Sequence, residues 1–285
     1  DQDMNLKDKR HHTRPIWNTP LLDLGEPGTF SDSGAIASQV VIRDDTEFLL
    51  YVGVSKGDPA RYRYEHGLAS RPFGSYEKFK PLGNLLTRGE NNPVGVSMPY
   101  YVEYDFDPAR DPNPNHIEKA IKKSYLFFID FLPWKDIDGV WEPTYKIKFV
   151  ELDPFENDFE SKLKYNYDDQ VFPDLPNNKE GDLSDISLGR PWVFQDGDCL
   201  KMFYCDRWIR EYRGENKNQG YNIQFDKSSN IDPSWWGFKE DYLSLDSHVG
   251  DKMTCYPSLI KTKIGTFLLF NSGFTSEIHI AAEVK

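Results

Sequence analysis

The stretch DISLGRPWVFQDGDCLKMFYC, residues 185–205, decides the fold of this 285-residue chain. A first apolar run ends in the polar turn 196–198, and a second run alternates apolar and polar residues as far as Tyr204. Strand, tight turn and strand in this order is typical of a β-hairpin. The same pattern occurs without a gap in DSGAIASQVVIRDDTEFLLYV, residues 32–52, and in DKMTCYPSLIKTKIGTFLLFN, residues 251–271.

A fourth, divergent copy of the hairpin is predicted at residues 94–101, with its partner strand at residues 124–129. A third strand is predicted after each hairpin, at residues 64–69, 144–149, 220–225 and 277–281. Ser38, Pro99, Pro191 and Pro257 hold equivalent places, so the copies are 61, 92 and 66 residues apart. Repeats of about four strands at such spacing are typical of propeller blades.

The sequence therefore predicts an all-β protein, a five-bladed β-propeller with four-stranded antiparallel blades. Residues 1–285 are predicted to form one domain, with 1–16 as a flexible or peripheral N-terminal segment. The fifth blade would be closed by pairing the N-terminal and C-terminal segments, which removes exposed sheet edges. A β-sandwich with coincidental hairpins is the alternative.

Charge and cysteine content limit the partners. A formal net charge of −12 argues against nucleic-acid binding and against docking on an anionic membrane. No apolar run approaches the ~20 residues of a membrane helix. Cys199, Cys205 and Cys255 are expected to be free core residues, the first two on one strand. A cytoplasmic location is expected, and secretion stays open because the chain begins with Asp rather than Met.

Three aspartates are the candidate catalytic residues. Asp32, Asp185 and Asp251 precede the first strand of their hairpins by the same number of residues. In a propeller they would meet at one mouth of the central channel, where neighbouring carboxylates raise one another's pKa. One protonated and one ionised carboxyl is the requirement for acid–base cleavage of a glycosidic bond. The alternative is that each aspartate caps a turn with its own backbone.

Further residues are candidates for substrate binding. Arg190 stands before Pro191 at the start of a first strand, where it would form a salt-bridge strut or bind an anionic substrate. The aromatic faces of tyrosines would stack on sugar rings or pack in the core. The set comprises Arg63, His66, Glu142, Tyr145, Arg190, Tyr221, Tyr256 and Asn271. No metal or cofactor motif occurs; a single cation held by the channel carboxylates stays an open alternative.

These motifs resemble a known superfamily. Gly189–Val193, the turn 196–198 and Met202–Tyr204, together with Cys255–Leu259 and Phe270–Asn271, are similar to the five-bladed propeller glycosidases of glycoside hydrolase families 43 and 32. The resemblance implies three carboxylates around the funnel: a base or nucleophile, a pKa-tuning Asp and an acid, for which Glu142 is a distant candidate. Those families place a carboxylate directly before the proline-containing start of the first strand of a repeat. At the four corresponding places this chain has Ala37, Met98, Arg190 and Tyr256.

The first functional hypothesis is a carbohydrate-active, glycoside hydrolase-like enzyme that acts on a glycosidic bond in the central funnel. The expected partner is a carbohydrate or a sugar-containing small molecule. A propeller that binds a glycan or a protein without catalysis is the second hypothesis, and a sugar transferase of polysaccharide assembly is the third.

Overall fold

The computed structural model describes the chain in segments. They are residues 20–57, 61–90, 92–106, 121–137, 139–155, 165–166, 186–196, 199–208, 221–228, 236–238, 253–272 and 277–282. The N-terminal segment predicted at 1–16 lies outside them. The described part of the chain contains no helix long and apolar enough to cross a membrane.

The described residues form fifteen β-strands and no helix. In chain order they are β1 (Gly34–Arg43), β2 (Thr46–Lys56), β3 (Tyr62–Pro72), β4 (Lys80–Thr87), β5 (Val96–Phe106), β6 (Ile121–Ile137), β7 (Val140–Glu151), β8 (Tyr165–Asn166), β9 (Ile186–Asp196), β10 (Cys199–Trp208), β11 (Asn222–Ser228), β12 (Trp236–Phe238), β13 (Thr254–Thr262), β14 (Gly265–Ser272) and β15 (Glu277–Ala282). All four predicted hairpins and all four predicted third strands are confirmed.

The strands pair into four sheets in chain order. Sheet 1 has the order β1-β2-β3-β4-β8, sheet 2 β5-β6-β7, sheet 3 β9-β10-β11-β12 and sheet 4 β13-β14-β15. Every pairing is antiparallel except the two-residue contact of β4 with β8. The described sheets thus have three to five strands, whereas the sequence predicted four strands in every blade. The all-β class and the antiparallel meanders are as predicted.

Apolar clusters fill the spaces between successive sheets, because alternate residues of each strand point to one face. Leu50 and Leu68 of sheet 1 pack with Leu126 of sheet 2. Phe127 of sheet 2 belongs to one cluster with Met202 of sheet 3. The next cluster joins sheets 3 and 4 and consists of Phe203, Phe225, Leu268 and Phe270. Each such side chain stabilises the fold by about 1.5–3 kcal/mol when fully buried.

Successive sheets are also joined by hydrogen bonds at one recurring place, from the third strand of one sheet to the first strand of the next. The Tyr64 amide donates to Val94 O just before β5 at 3.0 Å. The Tyr145 amide donates to Ser187 Oγ of β9 at 3.4 Å. The third joint is the bond from the Thr254 amide of β13 to Tyr221 O at 2.9 Å. These joints fix three tyrosines at equivalent positions.

The cysteines are only partly as expected, since Cys205 and Cys255 are buried whereas Cys199 is partly exposed. Cys199 and Cys205 both lie on β10, and all three cysteines are free. Cys205 is completely buried, and burial raises the pKa of its thiol to about 12. Its sulfur accepts a hydrogen bond from the Tyr256 amide of β13 at 3.3 Å. The thiol therefore acts as a neutral packing group between sheets 3 and 4.

Candidate functional site

The first strand of every sheet contains a β-bulge at the same position. The register shifts between Ala37 and Gln39 in β1, Ser97 and Tyr100 in β5, Gly189 and Trp192 in β9, and Cys255 and Ser258 in β13. Each bulge lies at the equivalent position identified in the sequence, which is a proline in three strands and Ser38 in β1. A bulge bends its strand and re-aims a side chain, and bulges are frequent beside active sites.

Three of the bulges hold a non-glycine residue in the left-handed region. The φ angles are +49° for Met98, +59° for Arg190 and +58° for Tyr256. Each of these residues precedes a proline, which itself disfavours helical backbone angles. Such conformations cost about 1–3 kcal/mol each and concentrate at functional sites. The fold therefore holds three strained residues at equivalent points of sheets 2, 3 and 4.

The three strained residues open onto one cavity of about 190 Å³, which we call the central pocket. It lies where the first strands of the four sheets approach one another. Its lining consists of Ile36, Tyr64, Ser97, Met98, Ile129, Phe131, Tyr145, Gly189, Arg190, Tyr221 and Tyr256. Arg190 is the single charged side chain among these described lining residues.

Aromatic side chains account for five of the eleven lining residues of the pocket. Tyr64, Tyr145 and Tyr221 lie at the three joints between sheets, so the bonds that connect the sheets also orient these rings. The Tyr64 ring stacks on Phe131 with 4.8 Å between centroids. The rings of Tyr221 and Tyr256 lie 6.4 Å apart. Glycine at 189 leaves room for this arrangement, since a Cβ there would lie 2.9 Å from Tyr145 Cε2.

A buried arginine supports two of the tyrosines from behind. Arg207 Nε donates to the Tyr145 hydroxyl at 2.8 Å, and that hydroxyl lies 2.8 Å from the Tyr221 hydroxyl. Burial raises the pKa of both phenols, so they stay protonated at neutral pH. Glu142 is also buried, with Oε2 3.9 Å from Arg207 Nη1. This predicted acid candidate lies behind the wall and is not among the lining residues.

Arg190 contacts no carboxylate among the described residues. Its Nη1 donates to the thioether sulfur of Met98 at 2.8 Å, and its guanidinium carbon lies 4.3 Å from the centroid of the Tyr256 ring. A thioether is a weak acceptor, and a guanidinium has five donors. The salt-bridge strut considered from the sequence is therefore not formed with any described residue.

The predicted catalytic aspartates are only partly within the described residues. Asp32 precedes β1 and accepts hydrogen bonds from the Gly28 amide at 2.9 Å and the Ser33 hydroxyl at 2.7 Å. The bond from Ser33, followed by that from Gly28, lowers the pKa of Asp32. Asp32 does not line the pocket, and its contacts match the turn-capping alternative. Asp185 and Asp251 lie outside the described residues, so their role stays a prediction.

Four of the predicted binding residues line the pocket: Tyr145, Arg190, Tyr221 and Tyr256. Arg63 and Asn271 are not among the lining residues; the Arg63 guanidinium packs over Gly57, and Asn271 lies in β14 opposite Cys255. His66 lies in the interior of sheet 1 with its ring 5.5 Å from that of Phe128.

Burial lowers the pKa of His66 to about 3, so the imidazole is neutral at physiological pH. The neighbouring Glu65 accepts hydrogen bonds from Asn84 at 2.8 Å and from Arg88 at 3.0 Å. Glu65 and His66 thus have separate contacts, as expected for adjacent residues of a strand, whose side chains point to opposite faces.

Tyr64 and Met98 are among the seven lining residues that sequence reasoning missed as members of the site. Both had a signal in the repeat: Tyr64 is equivalent to Tyr145 and Tyr221, and Met98 is equivalent to Arg190. No three His, Cys, Asp or Glu side chains cluster as metal ligands within the described segments.

Comparisons with known proteins concern the fold. No protein-family model matches the chain. A search of curated protein sequences also gives no match. A solved glycoside hydrolase superposes with a TM-score of 0.54 at 13% identity, over 91% of this chain and 72% of that one. The α-L-arabinofuranosidase from Lactobacillus brevis gives a TM-score of 0.51 at 9% identity, over 85% of this chain and 70% of that one.

The chain therefore has the propeller-type fold of glycoside hydrolase structures. The resemblance stated from the sequence motifs is confirmed at the level of the fold.

Proposed function

We propose that this protein is a carbohydrate-active, glycosidase-like propeller that binds a sugar in the central pocket. The observation behind the proposal is the wall of tyrosine rings from sheets 1 to 4, oriented by the joints between sheets. The face of an aromatic ring is electron-rich and apolar. It suits the C–H groups on one face of a sugar ring, while the hydroxyl and guanidinium groups suit the sugar's oxygens.

The size of the pocket points to a short ligand. A cavity of about 190 Å³ is smaller than the roughly 300–1,000 Å³ of pockets for drug-sized molecules. We propose that one sugar ring occupies the pocket and that further units of a chain lie outside it.

Hydrolysis is the reaction we propose for this site, with Asp185 and Asp251 as the carboxyl groups. Cleavage of a glycosidic bond uses two carboxyl groups, about 5–5.5 Å apart in retaining enzymes and about 6.5–9.5 Å apart in inverting ones. The described lining residues contain no Asp or Glu. The reaction therefore depends on these two aspartates, because Asp32 is bonded within its own turn.

We also propose that the fold is a five-bladed propeller in which a fifth blade completes the ring. Val40 and Ile42 of β1 are about half exposed, as are Ile260 of β13 and Ile280 of β15. A further blade would cover such apolar side chains on the first and last sheets. An experimental structure of the whole chain would count the blades directly.

Sugar binding is tested with a matched pair of tyrosine variants. Methyl glycosides of common hexoses, pentoses and uronic acids are screened by saturation-transfer NMR, and affinity is measured for those that bind. Tyr64→Leu removes a ring face from the pocket wall. Loss of that face is expected to weaken binding about fivefold to tenfold, close to the worth of one aromatic contact. Tyr76→Leu removes a tyrosine that is 79% exposed and outside the pocket lining, and should leave affinity unchanged.

Binding of none of the sugars, or equal effects of the two variants, would contradict the binding proposal. Hydrolysis is tested separately with Asp251→Asn and Asp185→Asn on any glycoside that the wild type cleaves. Each variant should lose turnover while it retains sugar binding. Undiminished turnover in both variants would refute their catalytic role.

A further inference from the structure

The charge of the pocket differs in sign from that of the chain. The formal net charge of the protein is −12, with 46 acidic and 34 basic side chains excluding histidine. The central pocket nevertheless has an arginine as the single charged group among its described lining residues. Arg190 is only partly buried and lines the pocket, so its guanidinium can take a counter-charge from a ligand.

The described residues supply no such counter-charge, and Asp185 and Asp251, which lie outside them, are proposed to act on the glycosidic bond rather than to pair with Arg190. Of the contacts of Arg190, one is a hydrogen bond to a thioether and the other is a stacked phenol ring. The ring of Tyr256 covers one face of the guanidinium and so fixes the plane of its N–H groups. Donors in a fixed plane are the arrangement that binds both oxygens of a carboxylate or of a sulfate or phosphate group.

The backbone strain at Arg190 supports a role in recognition. A left-handed φ of +59° directly before Pro191 is a costly way to present a side chain. The adjacent Gly189 lets the Tyr145 ring pack directly against the backbone beside Arg190, since a Cβ there would lie 2.9 Å from Tyr145 Cε2.

We propose that the central pocket selects a sugar with an anionic substituent, and that Arg190 binds that substituent through its in-plane N–H groups. The inference rests on the proposed sugar-binding function and names the class of sugar. A uronic acid and a sulfated sugar share the required chemistry, since each offers two oxygens in one plane to the guanidinium.

The test compares acidic and neutral forms of the same sugar. Probes are the methyl glycosides of galacturonate, glucuronate and galactose 6-sulfate, beside those of galactose and glucose. The wild type is expected to bind at least one acidic probe ten times or more tighter than its neutral counterpart. Preference for the uronates or for the sulfate identifies which anionic group is read. Arg190→Met should abolish this preference, so that the loss of affinity is at least about ten times greater for the acidic probe than for its neutral counterpart.

Arg61→Met is the matched control. Arg61 is an exposed arginine 5.3 Å from the Tyr62 ring, outside the pocket lining, and its replacement changes the net charge by the same single unit. It should leave the acidic preference intact. Arg190→Lys retains the positive charge but lacks the planar guanidinium that can bind two oxygens at once. Its preference for acidic probes should therefore lie between those of the wild type and Arg190→Met.

The failures of the two proposals are distinguishable. Equal wild-type binding of acidic and neutral probes, or an acidic preference that survives in Arg190→Met, would overturn the anionic class and leave sugar binding standing. Absence of binding for every probe would instead remove the proposed function and the inference with it.

Discussion

Two arginines of this protein stack on aromatic rings and yet differ in every other contact. Arg43 of β1 lies 5.3 Å from the Phe155 ring, and Arg190 of β9 lies 4.3 Å from the Tyr256 ring. Arg43 also donates to both carboxylate oxygens of Asp153, at 2.9 and 2.8 Å, and to Glu103 at 2.5 Å. Arg190 has a thioether as its hydrogen-bond partner among the described residues.

The difference shows which arginine serves the fold and which one serves a ligand. Arg43 is satisfied by carboxylates from β5 and from the turn after β7, so it ties sheet 1 to sheet 2. Its ion pairs raise the pKa of its guanidinium above the ordinary value, against the effect of desolvation. Arg190 is held in a strained conformation and lines the pocket. Three predictions test this distinction.

The largest effect is expected on global stability. Arg43→Met leaves Asp153 and Glu103 without their shared cation, and we expect the free energy of unfolding to fall by about 1–2 kcal/mol, since the pair is only partly buried. Arg190→Met breaks no ion pair with a described residue and should change stability by less than about 0.5 kcal/mol. Urea denaturation measures both. Equal losses in the two variants would erase the proposed distinction.

The next effect concerns the strained backbone at Arg190. Replacement by glycine and replacement by alanine remove the same functional group, but only glycine adopts a positive φ without strain. Arg190→Gly should therefore be more stable than Arg190→Ala by about 0.5–1 kcal/mol. The equivalent residue of sheet 1, Ala37, does not have a positive φ.

Ala37→Gly is the control and should have the opposite sign, a destabilisation of about 0.5–1 kcal/mol. Thermal unfolding of the three variants and the wild type provides the measurement. A variant Arg190→Ala at least as stable as Arg190→Gly would mean that the bulge relaxes and that no strain is maintained there.

The smallest effect is on the acid side of the stability profile. Desolvation raises the pKa of Glu103, but hydrogen bonds from Lys122 and Arg43 outweigh it, so the net pKa is lowered. In the unfolded chain Glu103 has its ordinary pKa near 4.5, so as the pH falls through this value the unfolded chain binds more protons there than the folded protein does. The stabilisation that ionised Glu103 provides is therefore lost as the pH falls. The free energy of unfolding of Arg43→Met should therefore fall less on acidification than that of the wild type, by about a few tenths of a kcal/mol.

Urea midpoints between about pH 3 and pH 7 measure that slope. The profile of Arg190→Met should run parallel to that of the wild type, since no described carboxylate pairs with it. A flatter profile in this variant would show that Arg190 holds a carboxylate of the chain after all.

The sequence predicted the sheets well because their signal is local. Alternating apolar residues around polar turns define hairpins such as β1-β2 and β9-β10. The same pattern occurs in four copies, and each copy supports the assignment of the others. Four pocket residues, Tyr145, Arg190, Tyr221 and Tyr256, were also within reach. Each lies at a repeated position of a first or a third strand.

The rest was not predictable for physical reasons. A bulge shifts the alternation by one residue, so strand parity alone does not tell that Met98 and Arg190 face the same cavity. Beside Tyr64, the ionisable residues Arg63 and His66 drew the prediction, although Tyr64 is the residue that lines the pocket and donates its amide to Val94 O. The direction of the Asp32 carboxylate depended on contacts within its turn, which no pattern of residue types encodes.

Gly95 has a consequence for how sequences of this kind can diverge. Its φ is +113°, and a Cβ at this residue would lie 1.8 Å from the carbonyl oxygen of Tyr64. Any other residue would force sheets 1 and 2 apart, so we expect no substitution of Gly95 to be tolerated. Met98, three residues further along the chain, lies in β5 and lines the cavity. In descendants of this chain we expect glycine to persist at the joint while the residue before the proline changes with each new ligand.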